Sequence, residues 1–131
     1  AALGISQIKK LKNLQIRRKK IANVYNKVFE GNSKIELPIF DRKYESSLHL
    51  YVIKIKKKRD NILVSLRKKG IYTNVHYLPI HLQPFFKKLG FKSNQFPNSE
   101  RYGREALSIP IYPNLNTKDQ NKVIKEIKKL I

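Results

Sequence analysis

Three histidines, His49, His76 and His81, are the only side chains in this sequence that ordinarily titrate near neutral pH. His76 and His81 lie five residues apart across a predicted strand-to-turn junction, and His49 lies on the preceding predicted strand. Adjacent strands could bring three imidazoles together as zinc ligands, but no spacing typical of a metal site is present. The acids that flank the turn in sequence, Asp60 and Glu100, are well removed from it. The sequence therefore predicts no metal site.

Residues 72–77 form the densest polar and aromatic segment of the chain. If this segment is a strand, alternation places Tyr72, Asn74 and His76 on one face. At the end of a strand such groups can hydrogen-bond a polar ligand, for example a sugar or a phosphate. Alternatively, His76 is a structural histidine that caps the turn at Pro79 through a backbone carbonyl. The residues alone leave both interpretations open.

Other common kinds of catalytic site are excluded. The sequence has no cysteine, which rules out disulfides, Cys-ligated zinc, iron–sulfur clusters and thiol nucleophiles. It also has no Gly-x-Ser-x-Gly elbow, no Gly-rich phosphate loop and no carboxylates paired at a useful spacing. These patterns therefore offer no candidate for nucleophilic catalysis.

The charge is strongly basic, with 29 Lys and Arg against 9 Asp and Glu and a net charge of +20. A module that binds nucleic acid or another polyanion is one hypothesis for such a chain. However, the positive charge is spread over four separate stretches, and 22 of the 29 basic residues are Lys, the poorer bidentate reader of phosphates and bases. We interpret most of it as solvated surface, and we do not expect a nucleic-acid partner. No run of about 18 apolar residues predicts a membrane span.

Apolar periodicity and turn residues predict the elements that position these side chains. The predicted helices are residues 3–29, 61–69 capped by Asp60, 85–89, 99–107, and 120–131 with a capping box at 117–120; the predicted strands are 47–55, 71–77 and 108–112, with a short edge or connector at 35–38. This order predicts an α+β fold with a small mixed or antiparallel sheet of about three strands, helices on one face and a long N-terminal helix. Because the sequence has no Met and begins inside a predicted helix, we expect it to be a piece of a longer protein.

Several stretches match known motifs in order. Residues 47–52 are similar to a Ser-Trp-His-hydrophobic-Tyr strand, with Leu48 in place of Trp, and residues 66–71 to a Leu-x-x-x-Gly-Ile turn. Residues 74–81 contain a His-Tyr-x-Pro-x-His signature, and residues 96–100 and 107–113 are similar to Phe-Pro-x-x-Glu and Leu-Ser-Leu-Pro-x-x-Pro. Together with residues 1–8, which look like the segment after the cofactor-phosphate Asn, these stretches resemble the DegT/DnrJ/StrS family of sugar-nucleotide aminotransferases.

The resemblance implies part of a fold-type I enzyme that uses pyridoxal 5'-phosphate as an electron sink. Such enzymes are cytoplasmic homodimers that move an amino group, commonly from glutamate, onto a keto sugar of a nucleotide-sugar for polysaccharide or glycan biosynthesis. Residues 1–30 would be the long connecting helix from a missing N-terminal large domain, which holds the cofactor and its lysine. Residues 31–131 would be the C-terminal small domain, inactive alone. Because no lysine of this sequence matches the context of the family's cofactor lysine, we name no catalytic residue. A sugar dehydratase on the same scaffold is the alternative within the family.

The resemblance also implies a substrate-binding site. Asn74, Val75, His76 and Tyr77 would line the sugar-nucleotide pocket at the domain boundary, with His81 as a secondary candidate.

Overall fold

A computed structural model of the chain describes residues 1–40, 43 and 46–131. Within these residues the chain forms five α-helices, three strands and one 3₁₀ turn. In order they are α1 (Ala2–Phe29), β1 (Ile35–Glu36), β2 (Tyr51–Ile55), α2 (Arg59–Lys68), the 3₁₀ turn Ile80–Leu82, α3 (Pro84–Lys88), α4 (Pro97–Glu105), β3 (Ala106–Ile109) and α5 (Thr117–Leu130). The predicted α+β class and the small three-stranded sheet are confirmed.

The sheet is antiparallel throughout, in the order β1-β2-β3. Along β2 the side chains of Tyr51, Ile53 and Ile55 are buried, and the two residues between them are half-buried. The register pairs Ile53 with Leu107 and Tyr51 with Ile109, so these apolar side chains share one face. That face supports the core.

Three helices supply much of the rest of the core. They are the C-terminal half of α1, then α2 and α5, which contribute Ile21, Tyr25, Phe29, Ile62, Leu66, Val123 and Ile127. Two hydrogen bonds also hold α1 against the rest of the fold. The Tyr25 hydroxyl donates to the Pro110 carbonyl at 2.8 Å, and Gln120 Nε2 donates to the Ile21 carbonyl at 2.9 Å. Burial raises the pKa of Tyr25 above its ordinary value, with smaller contributions from Tyr112 and Tyr51. The hydroxyl therefore remains a neutral donor.

The N-terminal half of α1 extends beyond this core. The long helix predicted at residues 3–29 is confirmed, and Gly31 with φ of 73° follows its end. Leu3 and Ile8 are 77% and 71% exposed, whereas Ile21 and Tyr25 are buried. No helix among the described residues combines the length and the apolar character needed to cross a membrane.

The strand predicted at residues 71–77 is wrong. The segment pairs with the sheet at one point only, where Asn74 bridges Ser108 of β3. A strand requires a partner along its length, and β3 offers just four residues before Pro110, which has no N–H to donate. Alternating side chains therefore mimic a strand in what is an extended loop.

Several predicted boundaries also shift. The strands predicted at 47–55 and 108–112 are found at Tyr51–Ile55 and Ala106–Ile109, and the helix predicted at 99–107 begins at Pro97 and ends at Glu105. Asp60 does not cap α2: Lys58, in the left-handed region with φ of 60°, precedes the helix, and Asp60 lies in its first turn. Helix α5 is capped one residue before the predicted box, because Asn116 Oδ1 accepts the Asp119 N–H at 2.8 Å.

Candidate functional site

Residues 74–79, which we call the site loop, begin on the edge of the sheet. Two backbone hydrogen bonds hold Asn74 to Ser108, with Asn74 N–H donating at 3.1 Å and Ser108 N–H donating at 2.8 Å. The Asn74 side-chain oxygen accepts the N–H of Val75 at 2.8 Å. The first residue of the site loop is thus fixed by the fold, and the chain turns away from the sheet directly after it.

The candidate side chains of the site loop lie at the surface. Asn74 is exposed, Val75 and His76 are half-buried, and Tyr77 is 69% exposed. The rings of His76 and Tyr77 meet edge to face with centroids 4.9 Å apart, and the peptide bond between them is cis. The loop therefore presents an amide, an imidazole and a phenol together.

Buried polar atoms near this loop lack hydrogen-bond partners within the described part of the chain. They are Thr73 Oγ1, His76 Nε2 and Ser108 Oγ. Leaving such atoms unpaired costs free energy, because each has lost its water without gaining a partner. The alternative interpretation predicted that the imidazole of His76 donates a hydrogen bond to a backbone carbonyl. His76 Nε2 makes no such hydrogen bond with the described residues. This nitrogen is available to a partner from outside these residues.

His81 lies in a different environment from the other candidates. It sits in the 3₁₀ turn, is 7% exposed, and places Nε2 at 3.0 Å from Glu100 Oε1. The Phe96 ring packs on its imidazole at a centroid distance of 4.7 Å. The structure therefore brings Asn74, Val75, His76 and Tyr77 together on one loop and places His81 inside a buried polar pair.

Glu100, a buried carboxylate in contact with the candidate residue His81, was not predicted from the sequence as part of the site. Its carboxylate is 4% exposed and accepts hydrogen bonds from the Asn94 N–H at 2.7 Å and from Ser93 Oγ at 3.2 Å, besides its contact with His81. Arg104 Nη1 lies 3.8 Å from it. The Phe-Pro-x-x-Glu motif was the available signal, but the sequence does not show which side chain the carboxylate meets.

These contacts decide the ionisation of Glu100. Burial raises the pKa of its carboxyl, but the hydrogen bonds from His81, from the backbone of Asn94 and Phe96 and from Ser93 outweigh burial, so the pKa lies below its ordinary value. A lowered folded pKa means that the ionised carboxylate stabilises the fold above the ordinary carboxyl pKa. That contribution disappears as the pH falls through the folded pKa.

We therefore expect Glu100→Gln to destabilise the chain near neutral pH and to lose this effect in acid. At about pH 7 wild type should unfold at higher denaturant concentration than the variant, and at a pH below the lowered folded pKa the two should converge. Urea titrations at both pH values measure the difference. Equal differences at the two pH values would show that the ionised form contributes nothing.

Of the clefts on the described part of the chain, three are compared with the candidate site. The largest, about 590 Å³, lies between helix α4 and the segment that joins the end of β2 to the start of α2. The site loop contributes only Leu78 and Pro79 to it. Two others, of about 420 and 390 Å³, lie beside Lys56 and beside Tyr112. None of the three is lined by residues 74–77. Within residues 1–40, 43 and 46–131, no three His, Asp or Glu side chains lie close enough together to hold a metal ion.

Comparisons with known proteins agree with one another. The model of the DegT/DnrJ/EryC1/StrS aminotransferase family matches residues 1–128. The chain is 32% identical over 138 residues to the spore coat polysaccharide biosynthesis protein SpsC of Bacillus subtilis, which covers all of this chain and 36% of SpsC.

Solved structures share the fold from end to end. The Helicobacter pylori aminotransferase PseC, involved in the biosynthesis of pseudoaminic acid, superimposes with a TM-score of 0.86 at 32% identity, covering 98% of this chain and 35% of PseC. The PLP form of Spr1654 from Streptococcus pneumoniae gives a TM-score of 0.89 at 30% identity, covering 98% of this chain and 34% of Spr1654. The chain thus spans about a third of the length of these relatives. It belongs to the DegT/DnrJ/EryC1/StrS aminotransferase family.

Proposed function

We propose that this chain is the C-terminal small domain of a pyridoxal-phosphate-dependent aminotransferase that transfers an amino group to a keto sugar of a nucleotide-sugar. The observation that carries the proposal is the family match over residues 1–128, together with the polysaccharide role in the name of SpsC. Glutamate is the proposed amino donor. Synthesis of a surface polysaccharide or glycan is the proposed setting, in the cytoplasm.

None of the lysines that the structure describes lies in an environment suited to a covalent bond with the cofactor. A lysine that bonds covalently to a carbonyl group must first lose its proton, which burial or a neighbouring cation favours. Among the described residues every lysine is exposed or half-buried, and none is buried. Pyridoxal phosphate, when bound, supplies an electron sink for amino transfer. We propose that a large domain, which α1 connects to residues 31–131, holds it.

Asn74, Val75, His76 and Tyr77 are the proposed substrate-lining residues of this domain. The site loop offers donors and acceptors for sugar hydroxyls, and His76 Nε2 is a buried polar atom with no partner from the described residues. A sugar hydroxyl or phosphate oxygen would satisfy it. Since residues 74–77 line none of the clefts described above, the pocket needs a second wall, which we assign to the large domain or to the other subunit of a homodimer.

We expect His76→Ala, made in the protein expressed from the complete reading frame that contains this chain, to weaken nucleotide-sugar binding. The loss of one buried hydrogen bond and of the imidazole packing should raise the Kd for a nucleotide-sugar about ten- to a hundredfold. Titration calorimetry with UDP- and dTDP-linked hexoses measures this change. The visible absorbance of the cofactor should be unaltered, because the cofactor does not rest on this residue.

A matched control is His49→Ala, which removes an exposed imidazole outside the site loop. This variant should bind like wild type. An unchanged Kd in His76→Ala would show that the pocket assignment is wrong.

A further inference from the structure

We propose that Glu100 and His81 are positioning residues that hold the site loop in the shape in which it lines the sugar-nucleotide pocket. This inference rests on the proposed function. In this inference His81 does not contact the substrate. It supports the site loop through its buried contact with Glu100.

The site loop is anchored at both ends and at few points between. At its start, the two hydrogen bonds between Asn74 and Ser108 tie it to the sheet. Beyond that point the side chains of Tyr77 and Leu78 are 69% and 52% exposed, so no core packing holds them. The shape of the loop therefore depends on what fixes its other end.

Helix α4 fixes that other end. Gly103 lies so close to the loop that a Cβ added to it would come within 2.8 Å of Pro79 Cδ. One residue after Pro79 the 3₁₀ turn begins, and its central residue His81 contacts Glu100 of the same helix at 3.0 Å. Gln83 Nε2 donates back to the Leu78 carbonyl at 3.3 Å.

Glu100 also fixes the segment that follows. Residues 80–96, which we call the arm, contain the 3₁₀ turn and α3, and α3 buries no residue of its own. The near end of the arm reaches Glu100 through His81, and its far end does so through Ser93 Oγ and the Asn94 N–H. One buried carboxylate thus closes the arm into a loop whose base is α4. Without it the arm and the adjoining site loop lose their common support.

The chemistry of the contact distinguishes a positioning role from simple packing. A Gln at position 81 places its Nε2 donor where the imidazole Nε2 lies, so it can still reach the carboxylate. A Leu at this position fills the space but leaves Glu100 without that donor. If His81 only fills space, His81→Leu should preserve substrate binding better than His81→Gln. If His81 positions the loop through Glu100, His81→Gln should preserve binding better.

The test uses the enzyme expressed from the complete reading frame and loaded with pyridoxal phosphate. Binding of UDP-, dTDP-, GDP- and CDP-linked hexoses is measured by calorimetry for wild type, His81→Leu, His81→Gln and Glu100→Gln. We expect His81→Leu and Glu100→Gln to raise the Kd about tenfold or more, and His81→Gln to stay within about threefold of wild type. The control Glu126→Gln removes another ion-paired carboxylate, bonded to Lys129 in α5, and should bind like wild type.

A double-mutant cycle shows whether Glu100 acts through the site loop. In a His76→Ala background the effect of Glu100→Gln on the Kd should be smaller than in wild type, because one of the contacts that the loop supplies is already gone. Independent effects that multiply would overturn the inference. So would a His81→Leu enzyme that binds as well as His81→Gln, a comparison that remains available if Glu100→Gln does not fold.

Failure of the proposed function gives a different result. If His76→Ala leaves the Kd unchanged, the pocket assignment fails whatever Glu100 does, and if wild type binds none of the four nucleotide-sugars, the proposed substrate class fails and the inference with it. If His76→Ala weakens binding while His81→Leu and Glu100→Gln do not, only the positioning role is overturned.

Discussion

Replacing Leu107 by alanine should lower the free energy of unfolding of this chain by about 2 to 5 kcal/mol. Leu107 is 0% exposed and lies in β3 opposite Ile53, on the apolar face of the sheet. The deletion removes three buried carbon atoms from the core and leaves a cavity that the surrounding strands can close only in part. Since small domains are stable by roughly 5 to 15 kcal/mol, a loss of this size is a large fraction of the total.

Urea denaturation of the chain, followed by circular dichroism, measures the change. The matched control is Leu11→Ala, the same chemical deletion on the solvated half of α1, where the side chain is 45% exposed. That variant should lie within about 0.5 kcal/mol of wild type. Equal effects at positions 11 and 107 would contradict the placement of the core.

Removal of the Arg59 guanidinium should have the second large effect. Arg59 is 8% exposed at the start of α2, and it donates from Nη1 to the Ala106 carbonyl at 2.9 Å and from Nη2 to the Gly103 carbonyl at 2.7 Å. These carbonyls lie where α4 passes into β3. Arg59→Leu leaves both without their donors, and we expect a loss of about 2 to 4 kcal/mol.

Arg59→Lys should be intermediate, because a single ammonium does not reproduce the two-pronged geometry of a guanidinium. The control is Arg101→Leu, at a 54% exposed side chain whose nearest carboxylate is 3.9 Å away, and its effect should be within about 0.5 kcal/mol. Thermal unfolding of the three variants ranks them. If the Arg59→Leu variant were as stable as the Arg101→Leu variant, the two hydrogen bonds of Arg59 would not stabilise the fold.

The apolar periodicity of the sequence was sufficient to predict the helices and strands that bury one face. The long helix α1, the alternating strand β2 and the amphipathic helix α5 follow from spacing that places Tyr25, Ile53 and Ile127 on apolar faces. Their ends were less predictable. Lys58 adopts a left-handed conformation before α2 although it is not a glycine, and nothing in the local sequence signals that choice.

The site was predictable in part, for a different reason. The order of the motifs singled out the segment that carries the candidate residues Asn74 and His76, and in the structure this segment is a loop joined to β3 at Asn74. The partner of His81 was not predictable, because Glu100 lies 19 residues away and meets it only after the arm has closed. The failed strand at residues 71–77 has the same cause: the sequence shows the alternation of one segment but not the length of the strand beside it.

We propose that this chain completes an enzyme that moves an amino group from glutamate to a nucleotide-linked keto sugar. Its most direct test follows the visible absorbance of pyridoxal phosphate in the protein expressed from the complete reading frame. Glutamate should remove the visible band, and a nucleotide-linked keto sugar added afterwards should restore it; His76→Ala should slow only the second step. If glutamate leaves the band unchanged, or if the keto sugar does not restore it, the proposed function is wrong.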